Sequence, residues 1–195
     1  MWPADVGLLV LQHAPSVVVI GIETANSTDR TAARRQIRSA LIDAVSKLTG
    51  RDATQLSVTS APGRPLQILA SMTDTNIGIS IAHEAGLSVA AINPVGPIGI
   101  DIVRLDIVAA SAADWPQMAD DYLGAAAAAR IAATAPAYRA QQFAIEWTAQ
   151  EASLKCVGHG LVEWPAAPAS ISSLEVQPLA LPLPWIGRLA MHPSS

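Results

Sequence analysis

The sequence predicts an α+β protein built as two similar lobes. Three observations lead there. Hydrophobic residues make up 51% of the 195 positions and charged residues 14%, a globular balance and not a disordered one. Runs of β-branched residues alternate with segments of helical period. The order strand, helix, strands appears on both sides of residues 94–97, although no residue-level repeat accompanies it. A chain of this length can hold one substantial core, or two small lobes sharing one.

The elements follow in order. Val17-Val18-Val19-Ile20 is β-branched and reads as a strand. Thr28 or Asp29 offers an N-cap to a helix over 30–48, whose Ile37, Leu41, Val45 and Leu48 recur at helical spacing, and Gly50 stops it. Residues 61–65 form a loop. Segments 76–82 and 87–92 read as an antiparallel pair with 83–86 as the turn. A connector at 94–97 leads to a strand over 98–103. An alanine-rich helix is predicted over 116–135, broken by Pro136, and a second helix over 138–157, ended by Gly158 and Gly160. Pro165, Pro168, Pro178, Pro182, Pro184 and Pro193 leave the tail as loops and short edge strands.

The formal charge of -4 leaves no footprint for general nucleic-acid binding. The single cysteine, Cys156, excludes an internal disulfide and suits a reducing compartment. It reads as a small packing residue, although Lys155 beside it could lower the thiol's pKa. The N-terminus lacks the basic start of a secretory signal. The apolar stretch 85–110 carries Asn93, two prolines, Asp101, Arg104 and Asp106, a set no membrane span tolerates. The expectation is a cytoplasmic protein, without membrane or nucleic-acid partners.

Two acidic residues carry the most information. Asp101 lies inside the apolar run Pro97-Ile98-Gly99-Ile100-Asp101-Ile102, where a carboxylate is costly unless paired. Glu151 lies on the last predicted helix, with Trp147 and Lys155 one turn to either side on the same face. Brought together, the two would make a hard-cation site suited to phosphate chemistry. From spacing alone Glu151 and Lys155 also read as a surface helical ion pair, and Asp101 as the cap of a turn. His83 also reads as a polar turn residue. Arg30, Arg34, Arg35 and Arg38 form either a solvated helix face or a phosphate-binding one.

Taken in order, the arginine-rich helix, Gly63-Arg64-Pro65, Ser80-Ile81-Ala82-His83, Gly99-Ile100-Asp101 and Trp147-Thr148-Ala149-Gln150-Glu151-Ala152-Ser153-Leu154-Lys155 resemble the 4'-phosphopantetheinyl transferase superfamily. The hallmarks are a G-[IV]-D strand and a downstream W-[ST]-x-K-E-[AS]-x-x-K helix, to which the larger Sfp type adds G-[KR]-P and S-H elements. Asp101 and Glu151 stand 50 residues apart, and the likeness spans about residues 30–176. Gly158-His159-Gly160-Leu161 is similar to the family's G-K-G-L, with His in place of Lys.

The resemblance implies a compact Sfp-type member: a pseudo-dimer of lobes 1–95 and 96–195 in one chain, a monomer with the active site in the interlobe cleft. It implies transfer of the phosphopantetheine arm of coenzyme A to a serine of an apo acyl or peptidyl carrier protein, releasing adenosine 3',5'-bisphosphate. Asp101 and Glu151 would hold Mg²⁺. Lys155 would contact the phosphates, Arg64 and His83 the nucleotide end of coenzyme A, and Arg34, Arg35 or Arg38 its 3'-phosphate. Glu151 would accept the serine proton, directly or through water. The carrier would dock near the helices after Asp101, with Met118, Tyr122, Arg130 and Phe143 as contacts.

Three positions depart from the pattern. Val103 stands where many Sfp-type members place a second acidic residue, so water or another side chain must fill that part of the metal's shell. Gln150 replaces the lysine of the K-E pair and removes a charge near the diphosphate. Ala82 replaces a serine before His83. The first two keep open a homologue that binds coenzyme A or a carrier and no longer transfers.

Overall fold

The computed structural model describes residues 8–12, 17–24, 30–59, 66–70, 73–74 and 77–193. It is a mixed α+β fold. Strands β1 (Leu8–Gln12) and β2 (Val18–Glu23) precede helix α1 (Arg30–Thr49). Strands β3 (Leu56–Thr59), β4 (Gln67–Ala70) and β5 (Thr73–Asp74) form a small antiparallel sheet. Strands β6 (Gly78–Glu84) and β7 (Leu87–Asn93) make a hairpin, and residues 94–97 lead into β8 (Ile98–Arg104). Four helices follow: α2 (Leu105–Ala110), α3 (Trp115–Met118), α4 (Ala125–Ala133) and α5 (Arg139–Cys156). Strands β9 (Glu175–Pro178) and β10 (Trp185–Met191) close the described chain.

Period-2 patterning sorts the side chains into layers. The first main sheet has the order β1-β2-β7-β6 and the second β8-β10-β9. On one face of the first sheet, Ile20, Ile22, Ile79, Ala90 and Ile92 pack against Ile37, Leu41, Ala44 and Val45 of α1. On its other face, Val17, Val19, Ala82, Leu87, Val89 and Ala91 meet Ile98, Ile100 and Ile102 of β8 and Leu189 and Met191 of β10. The far side of the second sheet is covered by α5, where Ala152 and Cys156 rest on Ala190. The layers therefore run α1, sheet, sheet, α5. All of β7 is buried because both its faces are covered.

β6 runs beside β8 as well as β7. The Ile100 N–H donates to Ser80 Oγ at 3.1 Å, and a side-chain carbon at Gly78 would overlap the Gly96 carbonyl. The hairpin turn is tighter than 83–86. His83 and Glu84 belong to β6, and only Ala85 and Gly86 turn, with Gly86 at φ 91.

The helix predicted over 116–135 is interrupted. A π-helical turn over 119–123 ends at Gly124, whose φ of 79 and ψ of 165 fit no helix. The Trp164 indole lies where a Gly124 side chain would be, 2.7 Å from the nearest such position. An alanine run has helical propensity throughout, but it breaks at Gly124, whose positive φ favours glycine and against which a ring from beyond α5 packs. The tail is also less peripheral than its prolines suggest. β9 is an edge, whereas β10 lies between β8 and β9, with Leu189 and Ala190 fully buried. Pro182 and Pro184 precede that strand and leave it free to pair. Leu48 is 43% exposed and does not extend the buried stripe of α1.

Candidate active site

Alternation along β8 separates its two roles. Ile98, Ile100 and Ile102 enter the core between the sheets, so Gly99, Asp101 and Val103 face α5. Gly99 permits that packing: a side-chain carbon there would overlap the Ala152 carbonyl oxygen and come within 2.6 Å of the Cys156 nitrogen. Helix and strand backbones thus approach closely enough for Lys155 to reach across. Its ammonium donates to Asp101 Oδ1 at 2.6 Å and to the Ile100 carbonyl at 3.2 Å.

Asp101 is 8% exposed. Burial pushes its carboxyl above the usual carboxylate range, against Lys155 and the Ile102 N–H, which favour the charged form, while Glu84 adds to the rise. Glu151, one turn before Lys155, is half-buried. Burial raises its pKa too; the Asp101 charge adds to the rise, and Lys155 opposes it. The structure therefore brings Asp101, Glu151 and Lys155 into one electrostatic cluster.

This donor set suits a hard cation. A cation would offset the burial of both carboxylates and the Asp101 charge that acts on Glu151, and both offer only oxygen. Among the described residues no group of three or more His, Cys, Asp and Glu could hold a metal by itself. Two carboxylates are the number that Mg²⁺ commonly takes from protein, with water and phosphate oxygens completing its shell.

Residues 97–189 match the family model of the 4'-phosphopantetheinyl transferase superfamily. This part of the chain belongs to that superfamily. Membership implies phosphopantetheine transfer in general, with coenzyme A and a carrier protein as substrates. No curated protein matches the chain.

Other expected site residues stand elsewhere. His83 lies opposite Ser88 in the β6–β7 register, and its Nδ1 is 2.8 Å from the Ser88 hydroxyl. Since Ser80 and Ala82 face β8, His83 faces the α1 side. Arg34 and Arg35 are exposed on α1 and Arg38 is half-buried there, across both sheets from α5. Arg64 lies outside the described residues, as do Thr28, Asp29, Asn76 and the 61–65 loop.

Among the expected carrier contacts, Phe143 is a core residue, stacked between Trp115 and Trp147. Tyr122 meets Trp147 edge-on, and Met118 packs against the same cluster. Arg130 is exposed and binds Glu146 through two parallel hydrogen bonds of 2.7 and 2.8 Å. Cys156 is buried, and burial pushes its thiol up to about 11, so Lys155 does not activate it. No helix among the described residues is long and apolar enough to cross a membrane.

Two residues escape a reading by motif. Glu84 shares the β8-facing side of β6 with Ser80 and Ala82, and its charge acts on both Asp101 and Arg104. Its position in a predicted turn hid it; only the length of β6 exposes its side. Arg188 on β10 is the cross-strand partner of Asp101. It is half-buried, and burial holds its guanidinium below the usual arginine range, with Glu146 opposing. Its prolines-and-loops context in the sequence offered no signal.

Proposed function

We propose that this protein transfers the 4'-phosphopantetheine arm of coenzyme A to a serine of an apo acyl or peptidyl carrier protein, as a compact Sfp-type enzyme. One observation carries the reading: Lys155 and Glu151 of α5 converge on Asp101 of β8, the residues that the superfamily's two hallmark motifs supply. We read the halves on either side of residue 95 as two lobes, with coenzyme A held in the cleft between them.

Asp101 and Glu151 hold the cation. Mg²⁺, when bound there, neutralises charge on the coenzyme A diphosphate. Lys155 adds a point charge with three donors for phosphate oxygens. Glu151 accepts the proton of the carrier serine, directly or through water. The serine oxygen forms its bond to the pantetheine-side phosphorus. The bond from that phosphorus to the bridging oxygen breaks, and adenosine 3',5'-bisphosphate leaves with the electron pair. We assign Arg64, His83 and, less directly, Arg34, Arg35 and Arg38 to the nucleotide end of coenzyme A on the chemistry of their side chains.

The carrier would approach over α2 to α4. A cavity of about 630 Å³ opens there, lined by Trp115, Ala119, Ala128, Ile131 and Arg139 among others. Its floor is apolar, which suits a helix bearing an apolar stripe, and Asp120 and Arg139 are its two charged lining residues.

The test is incubation with Mg²⁺, coenzyme A and a panel of apo carrier proteins, read by intact mass. A phosphopantetheine gain that disappears in Asp101→Ala and Glu151→Ala supports transfer. Saturable coenzyme A binding with every carrier unmodified favours a homologue that binds without transferring. That second reading draws on Val103 and on Gln150, whose side-chain nitrogen is buried without a hydrogen-bond partner. Binding to neither partner sinks both.

A further inference from the structure

We propose that Lys155 is a resident counter-ion that must leave Asp101 before the metal binds, so that coenzyme A and metal each favour the other's entry. The inference rests on the proposed function and concerns the order and coupling of binding at the same site.

Three observations carry it. The Lys155 ammonium occupies Asp101 Oδ1 at 2.6 Å, a charge-assisted bond with a short, strong geometry. It is also anchored by the Ile100 carbonyl at 3.2 Å, so it is seated in β8 and not merely passing near the carboxylate. Its side chain is 31% exposed, against 11% for Asp101. The lysine thus has an open side through which to swing, and the aspartate keeps a narrower one.

A divalent cation on Asp101 and an ammonium at 2.6 Å compete for the same carboxylate. Like-charge repulsion opposes their coexistence, and the ammonium already occupies one of the two carboxylate oxygens. The free protein is accordingly poised between two arrangements, one with Lys155 on Asp101 and one with Lys155 released. The metal selects the second. The diphosphate of coenzyme A selects it too, because a released ammonium gains phosphate oxygens as partners. Two ligands that prefer the same minor arrangement bind with positive coupling, by the same factor in each direction. Gly99 is what makes the seated arrangement reachable, since it brings α5 against β8 at the height of Asp101.

The test is made on the full chain without a carrier, so no turnover intervenes. The ¹⁵N-labelled lysine ammonium signals are followed while Mg²⁺ alone is added. The Lys155 signal, protected by its hydrogen bond to a buried carboxylate, is expected in the metal-free protein and lost as Mg²⁺ saturates the site. In parallel, calorimetry compares Mg²⁺ affinity in wild type and Lys155→Met. The variant is expected to bind Mg²⁺ alone roughly 5-fold or more tighter, and to lose much of the gain that coenzyme A confers on wild type. Mg²⁺ binding with an unchanged Lys155 signal overturns the hand-over and leaves the metal site standing. Absence of Mg²⁺ binding to wild type, with and without coenzyme A, overturns the metal site and the hand-over together. The wild-type resonance decides the matter even where Lys155→Met fails to fold.

Discussion

Lys155 Nζ lies 2.6 Å from Asp101 Oδ1, and this contact joins the last turn of α5 to the middle of β8. The two residues are far apart in the chain, and each is half of a different motif. Their meeting places the second carboxylate, Glu151, in the same electrostatic field. It also gives a buried aspartate the partner that its apolar strand withholds.

The pair should be measurable as a coupling. In metal-free protein, urea unfolding of Asp101→Ala, Lys155→Met and the double variant is expected to give a coupling energy of roughly 1–3 kcal/mol. A value near that of a solvated surface pair, about 0.5 kcal/mol or less, would show that the contact contributes nothing to holding α5 on the sheet.

Gly99→Ala tests the close approach. The added carbon meets backbone on both sides, the Ala152 carbonyl and the Cys156 nitrogen, so rotamer changes cannot relieve it. The expected loss of stability is about 3 kcal/mol or more, seen as a large drop in urea midpoint, with transfer activity lost even below that midpoint. Wild-type-like stability would mean that α5 can slide without consequence for the site.

Glu151→Gln should separate stability from function. Burial raises the folded-state pKa of Glu151 above its value in the unfolded chain, so the folded state binds the proton more tightly. The sign follows: wild type loses stability as pH rises through the folded pKa. Glutamine removes that penalty. The variant is expected to be more stable than wild type at pH 7 in chelator, with the difference shrinking as pH falls towards about 4, and to transfer no phosphopantetheine. Equal stability of the two proteins at every pH would contradict the burial argument.

Arg130→Ala reports on α4 and α5 with the opposite pH sign. The Arg130 guanidinium holds the Glu146 carboxyl below the usual range. A lowered folded-state pKa contributes stability above the unfolded value of about 4.3, and this is lost as pH falls through the folded pKa. Arg130 is 57% exposed, so the expected loss at pH 7 is about 1 kcal/mol or less. It should fade on acidification in urea titrations at stepwise lower pH; a loss that stays constant would point to packing by the arginine stem instead.

Much of this was legible in the sequence because it is written in local periods. Ile37, Leu41 and Val45 recur at the spacing that buries one face of a helix, and α1 buries them all. The isoleucines of β8 alternate with Gly99 and Asp101, which already says that the glycine and the carboxylate share a face. The two motifs named Asp101, Glu151 and Lys155 before any contact was known. What no local period carries is the meeting of distant segments. Trp164, from beyond α5, packs on the helix break at Gly124. Two more residues in β6 put Glu84 on the side facing Asp101 and turned His83 towards α1. β10 became a central strand because its neighbours β8 and β9 were available on both edges. Sequence by itself determined which residue types stand at each period, since propensity and burial act over a turn or a strand. Only the tertiary structure decided which charges face one another, because desolvation and Coulomb energy depend on distances between segments that the chain order leaves free.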